Sequence, residues 1–397
     1  MGPRTTVVGV LLALHLILPA GAMAQARVEL LPSMSMFAVY DDNLFAHVNG
    51  SAGRMQQLRP SVEGSYLSPT VTLLGLYSFD MQRSNFATLN TLDARRHALG
   101  DTRVRVSPFT TVGLTFRYDR SATPGEIDIE SGVLGDRRLA QRVELTPSFV
   151  RRLDPRTAMT VGYGWTAENL VDGERGTLHI GRAGLTRTIT ARTTLSASYV
   201  GRVFSDTVAT DQSHTALLGW NVDLAPGTHV SVFAGPNISS YRGLRPELNA
   251  GVARSTPRVR LALDYSHGDT IILGVRGPVA VDSLTSRVTW PLTHRFDVGT
   301  STGLSQVSTL DARTSTIYRG GLAGSWSPGG MYTVGATYGL DLQQGSIRNP
   351  VVRNGTLVPF DDRVVRQVVR ISVTVAPRYS HSSLPPDEAA RAKGVLR

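Results

Sequence analysis

The sequence predicts an all-β fold, a transmembrane antiparallel β-barrel of about 16 to 18 strands. Three observations predict it. Apolar and polar side chains alternate in runs of about ten residues, the length at which a tilted strand crosses the apolar layer of a bilayer. A turn marked by proline returns about every 30 to 50 residues, which leaves room for one strand out, a loop, and one strand back. One kind of turn is tight while the opposite connections vary in length, the asymmetry of a barrel with short periplasmic turns and long extracellular loops.

Residues 1–24 read as a secretory signal peptide. Arg4 precedes an apolar stretch from Val7 to Leu18, Pro19 breaks it, and Ala22-Met23-Ala24 offers a small-residue cleavage site before Gln25. That stretch is too short to span a bilayer as a helix, and no later segment approaches the roughly 20 uncharged apolar residues that a spanning helix needs. Residues 25–379 are expected to form the barrel. Residues 380–397, with Leu384-Pro385-Pro386 and helix formers from Glu388 to Lys393, read as a periplasmic tail. The chain has no cysteine, so an exported fold must be held by hydrogen-bonded strands and packing rather than by disulfides.

The turn markers are Pro69, Pro108, Pro155, Ala191 within Thr190-Ala191-Arg192-Thr193, Pro226, Pro257, Pro291, Pro328 and Pro377. Between them, strands are expected to begin near residues 28, 54, 70, 93, 111, 138, 157, 178, 193, 214, 228, 247, 258, 279, 295, 314, 331 and 364. Boundaries of this kind carry about 2 to 4 residues of play. Alternation is clean in Val112, Leu114, Phe116 and Tyr118 against Gly113, Thr115, Arg117 and Asp119, and it recurs in Met159 to Thr166 and in Arg258 to Tyr265. A period of two places the two sets on opposite faces of a strand. Several strands end in an aromatic residue and then turn polar, as in Tyr40-Asp41, Phe79-Asp80, Tyr118-Asp119 and Tyr265-Ser266. These endings lie far from the proline turns, where an interfacial aromatic girdle belongs, and assign that end to the cell exterior. A soluble β-propeller shares the period of about 40 residues, but each blade needs four strands, and here each period holds two.

A hydrophobic content of 41% and a mean hydropathy of −0.06 are compatible with a membrane, because each strand is apolar on one face only. The formal net charge is +10, one unit of which leaves with Arg4, and Lys393 is the only lysine. Nucleic acid is not an expected partner of an exported chain. The basic balance points instead to anionic glycans, lipopolysaccharide or anionic solutes. Expected partners are thus outer-membrane lipids and lipopolysaccharide, an anionic polysaccharide or solute, and the barrel-assembly machinery, for which Tyr379 stands nearest to a terminal aromatic signal.

The segment Met34-Ser35-Met36-Phe37-Ala38-Val39-Tyr40-Asp41-Asp42-Asn43-Leu44-Phe45 resembles the opening of the outer-membrane beta-barrel porins found alongside bacterial exopolysaccharide systems. Those proteins share a Tyr-Asp-Asp-Asn signature followed by an apolar pair. The resemblance covers about a dozen residues, with matching length, leader and hairpin rhythm. It implies a Gram-negative outer-membrane location and a role in surface-polysaccharide secretion or an associated transport function.

Arginine on the polar face of many strands is the strongest chemical signal: Arg103, Arg105, Arg117, Arg258, Arg260, Arg287, Arg366 and Arg370. Facing lipid at the midplane, each would cost about 2 to 4 kcal/mol, so the lumen is their expected place. Guanidinium groups on a wet wall bind carboxylates and phosphates and repel cations. The alternative is pairing with lumenal acids such as Glu144, Asp264 and Asp282, which stiffens the wall without selecting anything. Asp41, Asp42 and Asn43 are weak metal candidates, because adjacent acids in a strand point to opposite faces and calcium needs about 6 to 8 oxygens; an Asx cluster ending a strand is the plainer reading. No enzyme and no cofactor are expected. The histidines show no recurrent partner spacing, and His267-Gly268-Asp269 is the most suggestive local group. Asn237-Ile238-Ser239 and Asn354-Gly355-Thr356 match the glycosylation sequon and read as turn residues. Three functional readings follow: a porin-like conduit, a closed barrel that docks partners, and, least supported, an outer-membrane hydrolase.

Overall fold

The computed structural model describes residues 26–46, 50–121, 139–170, 175–206, 210–272, 275, 277–310, 313–345, 351–353, 356–358 and 363–377. The leader at 1–24, the tail at 380–397, Tyr379, Asp361, Asp362, Asn354, Gly355, His47 and His381 lie outside the described residues.

Among the described residues, eighteen long strands form one closed antiparallel sheet. They are β1 (Arg27–Asp41), β2 (Gly53–Leu67), β3 (Val71–Ser84), β4 (Thr91–Ser107), β5 (Thr110–Ser121), β6 (Ala140–Arg152), β7 (Thr157–Leu170), β8 (Arg175–Thr190) and β9 (Thr193–Asp206), then β10 (Thr210–Ala225), β11 (Thr228–Ser239), β12 (Gly243–Ser255), β13 (Arg260–Thr270), β14 (Val279–Thr293), β15 (Phe296–Ser308), β16 (Thr314–Gly329), β17 (Tyr332–Gln344) and β20 (Arg363–Val375). Each pairs with its neighbours in sequence. β20 pairs with both β17 and β1, with Ile371 opposite Ala336 on one side and Ala38 on the other, and so closes the barrel. Between β17 and β20, the short strands β18 (Val351–Arg353) and β19 (Thr356–Val358) pair only with each other. The strand number resolves to 18, and the segments expected near 228 and 247 are the full strands β11 and β12.

The proline markers gather at one end. Ser68-Pro69-Thr70-Val71 and Thr256-Pro257-Arg258-Val259 use one chemistry: the hydroxyl of the first residue accepts the amide of the fourth, at 3.0 Å in both. Proline is preset for the second position of such a turn. In the turn after β6, the Asp154 carboxylate accepts the amides of Arg156 and Thr157 at 2.7 and 2.8 Å. Gly227, after Pro226, has φ +75, and a Cβ there would meet the Ser255 carbonyl oxygen at 2.2 Å, so only glycine fits. The opposite connections vary in length, from three residues at 207–209 and 240–242 to eighteen at 122–139 and 345–362.

Register sorts the side chains. Tyr40, Arg54, Tyr77 and Phe116 sit on one face with Val28, Leu30, Leu218, Trp220, Leu284 and Ile371, large apolar groups that are exposed. A closed sheet has an outer and an inner surface, and an outer surface this apolar requires lipid around it. Phe116, Tyr118, Tyr163, Trp165 and Tyr265 all fall on this lipid-facing side by strand pairing. The inner surface carries most of the charged strand residues, with apolar side chains such as Val39, Phe204 and Val307 where it is covered.

Candidate functional site: the arginine-bearing lumen

The lumen differs between its two ends. Away from the proline turns, the inward side chains are covered: Asp41, Ser213, Thr215 and Val307 are 0% exposed. Connecting segments produce this cover. Leu44 packs on Val39 and Met55, with Phe45 edge-on to Phe86 at 5.4 Å, so the segments after β1 and β3 lie against the inner wall. After β13, Ile272 packs on Val279, Val281, Val307 and Ile317 in the same way. Near the proline turns, Arg105, Arg152, Arg260 and Arg287 are exposed.

A recurrent arrangement builds the covered end. In Tyr40-Asp41, Phe79-Asp80 and Tyr118-Asp119 the aromatic ring faces lipid and the next residue, by strand alternation, faces inward. These three carboxylates are 0%, 2% and 1% exposed, and each is held by arginine. Arg366 grips Asp41 with Nε and Nη2 at 3.0 and 2.6 Å. Arg59 holds Asp80 through two bonds of 2.6 Å. Asp119 takes Arg117 at 2.6 Å and His97 at 2.6 Å. Further round, Arg142 binds Glu168, Arg319 meets Asp341 at 3.5 Å, and Arg202 binds Glu247 at 2.7 and 2.9 Å. Glu247 also accepts Thr215 at 2.8 Å and Asn237 at 3.2 Å, so its burial is fully compensated.

The predicted arginines divide accordingly. Arg117 and Arg366 are half-buried members of these pairs, each holding a buried carboxylate. Arg103 reaches Asp101 at 3.1 Å while more than half exposed. Arg370 lies 5.5 Å from the Phe37 ring, whose other neighbour is Arg59 at 4.8 Å. Register places Arg105, Arg260 and Arg287 on the inner face, and among the described residues no carboxylate lies within salt-bridge distance of any of them. Arg258 is a correction: it sits exposed in the turn before β13 rather than on a strand face, because it is the third residue of the Thr256–Val259 turn and the strand begins only at Arg260.

Asp282 is a second correction. Its strand parity with Leu284, Val288 and Trp290 puts it on the lipid side, where it accepts Tyr265 at 3.2 Å and pairs with His267 at 2.6 Å. Glu144 and Asp264 do face inward, Glu144 lying 3.7 Å from Arg142. Asp41, Asp42 and Asn43 do not converge on one point. Asp41 is taken by Arg366 and accepts the Asn43 amide, whereas Asp42 accepts the Gln367 amide at 2.6 Å. Asn237 is not in a turn; it is a buried strand residue that links Glu247 and Asp269. Among the described residues, His97 shares Asp119 with Arg117, and His267 pairs with Asp282.

Arg59, Arg142 and Arg202 were not singled out by sequence. Arg59 follows Gln56-Gln57-Leu58, where alternation is broken, so no polar face was legible. Parity with the inward Val200 and Phe204 was the available signal for Arg202.

No family description matches the chain, and no curated protein matches its sequence. Among solved structures it is similar to OccK7 (OpdD) of Pseudomonas aeruginosa, with 13% identity, a TM-score of 0.49, and 88% of this chain and 99% of that one covered. It is likewise similar to OpdQ of P. aeruginosa, with 10% identity, a TM-score of 0.46, and 88% and 97% covered. A third is the siderophore receptor PirA of P. aeruginosa, with 10% identity, a TM-score of 0.41, and 88% and 81% covered. Likenesses this distant bear on neither mechanism nor cargo.

Proposed function

We propose that the chain is an outer-membrane, porin-like conduit that passes anionic solutes or an acidic surface polysaccharide through its lumen. One observation carries the reading: the exposed inner-face arginines near the proline turns, Arg105, Arg260 and Arg287, have no carboxylate in reach among the described residues. Guanidinium groups on a wet wall attract carboxylate, phosphate and sulfate groups and repel cations. In this reading the proline turns face the periplasm and the covered end faces outward, where inward-folded segments narrow the passage. Export of an acidic polysaccharide rests on the resemblance of residues 34–45 to barrel porins of exopolysaccharide systems; anionic solute passage needs only the arginines. Outer-membrane lipids and lipopolysaccharide surround the barrel, and the assembly machinery inserts it.

A second reading, a closed barrel that docks periplasmic or surface partners, is favoured by the burial of the inward residues at the outer end. Planar-bilayer recording of the purified protein under a potassium chloride gradient separates the two. The conduit gives steps of conductance and a reversal potential of the sign set by chloride. Silence in a barrel shown to be inserted assigns the scaffold role instead.

A further inference from the structure

The lipid-facing surface carries a feature that the conduit does not use. Where β20, β1, β2 and β3 meet, two adjoining cavities open on the outside of the barrel, of about 570 and 820 Å³. They share Ala38, Gln56, Arg83 and Ile371. The first, toward the outer end, has a polar rim of Tyr40, Arg54, Arg83 and Asn85. The second, deeper along the strands, is apolar, with Met36, Leu58, Met81, Leu92 and Val373. The small side chain of Ala38 lies between Met36 and Tyr40 on the same face and leaves the depression.

Two arginines on a lipid-facing surface call for a reason. Arg54 is the second residue of β2 and Arg83 the last but one of β3, and both are exposed. About 12 strand residues separate them from the proline turns, roughly 30 Å of height at a tilt of about 40°, so they clear an apolar band of about 25 Å and stand at the headgroup level. Gln56 faces Arg83 directly across the strands, and Arg54 is its diagonal neighbour on the same face, close enough for both guanidinium groups to reach one anion. Among the described residues, no carboxylate forms an ion pair with either, in contrast to Arg96 and Arg120 on the next strands, which share Asp93. Asp42, on the same face, is taken by the Gln367 amide. The surface therefore offers two guanidinium groups, neither in an ion pair among the described residues, directly above an apolar groove.

We infer that this double cavity is a binding site for a phosphorylated, multiply acylated glycolipid of the outer leaflet, one phosphate between Arg54 and Arg83 and one acyl chain in the groove over Ala38. The assignment of leaflet rests on the orientation given above. A single-phosphate phospholipid brings less charge, and a free anion leaves the groove empty.

Native mass spectrometry of the detergent-solubilised full chain tests this, with bisphosphorylated lipid A, its dephosphorylated form, phosphatidylglycerol and inorganic phosphate as probes. The expected result is at least tenfold tighter retention of bisphosphorylated lipid A than of the dephosphorylated form. The double variant Arg54→Ser/Arg83→Ser abolishes that preference. Ala38→Trp, which fills the groove, weakens both forms. Equal retention of the two forms by the unaltered protein overturns the proposal, as does equal or tighter binding of phosphatidylglycerol, the result expected of an inverted barrel. Displacement by inorganic phosphate reduces the site to an anion site and overturns it too. Because the unaltered protein alone gives the decisive ratio, a variant that fails to fold leaves the test intact. Ion selectivity should be unchanged in the double variant, whose arginines face lipid, so failure of the conduit reading and failure of this one are distinguishable.

Discussion

At the covered end of the lumen Arg59, Arg117, Arg142, Arg202 and Arg366 each hold a buried carboxylate, whereas Arg105, Arg260 and Arg287, nearer the proline turns, stand exposed with no acid in reach among the described residues. The same residue type thus serves two ends. Where inward-folded segments exclude water, a carboxylate persists only if arginine compensates it, and the pair fixes the positions of strands. Where water remains, an arginine needs no partner and its charge is free to act on any ion that enters.

The largest effect should come from breaking a covered pair. Asp41→Ala leaves Arg366 in a confined site without its bidentate partner, and should destabilise the barrel by about 2 to 3 kcal/mol, below the full range for a wholly buried pair because Arg366 keeps some solvent. Denaturant unfolding in liposomes measures this. Arg287→Ser should cost less than about 0.5 kcal/mol in the same assay. Equal losses would erase the distinction between the ends.

Ile272→Ala, at 3% exposure in the segment packed on β14 to β16, should cost about 2 kcal/mol of local stability, the low end for such a truncation. Loosening of the cover predicts faster amide exchange in β14 to β16 and, in an open barrel, noisier or larger conductance steps. Unaltered exchange would mean that the packing of Ile272 does not hold the segment in place.

Removing charge from the open end sharpens the comparison through selectivity. A wall charge roughly 8 Å from a passing ion in water is worth on the order of 0.5 kcal/mol before screening, so each arginine lost should lower the chloride-over-potassium permeability ratio by roughly twofold at 0.1 M salt. Arg105→Ser/Arg260→Ser/Arg287→Ser should move the ratio several-fold toward unity with little change in stability. A ratio that stays put while the barrel conducts would show these charges to be neutralised by other groups.

The smallest effect belongs to the turns. The amides of Arg156 and Thr157 hold the Asp154 carboxylate below its ordinary value of 3.8. A lowered folded value means that the stabilisation is present in full above the unfolded value and drains away as pH falls through the folded one. Asp154→Asn should therefore flatten a slight loss of stability that the unaltered protein shows below about pH 4. A pH profile identical in the two proteins would remove Asp154 from the account.

Alternation of side chains and the spacing of Pro69, Pro108, Pro155, Pro226 and Pro257 determined the fold class, the strand sequence and the end at which the turns gather, because period two and turn chemistry are local properties of the chain. The eighteen strand starts lie within four residues of expectation, and the lipid-facing position of Tyr118 and Tyr163 follows from parity alone. Asp282 was expected in the lumen on the strength of its charge, and its parity with Leu284 places it on the lipid side instead. Partnership lay beyond such rules. Arg366 meets Asp41 from the far end of the chain because the last strand closes on the first, and Arg202 reaches Glu247 across the two strands, β10 and β11, that separate them. Which arginines are neutralised and which stay exposed was decided only by closure of the barrel and the inward folding of its outer segments, since a charge's environment depends on groups distant in sequence.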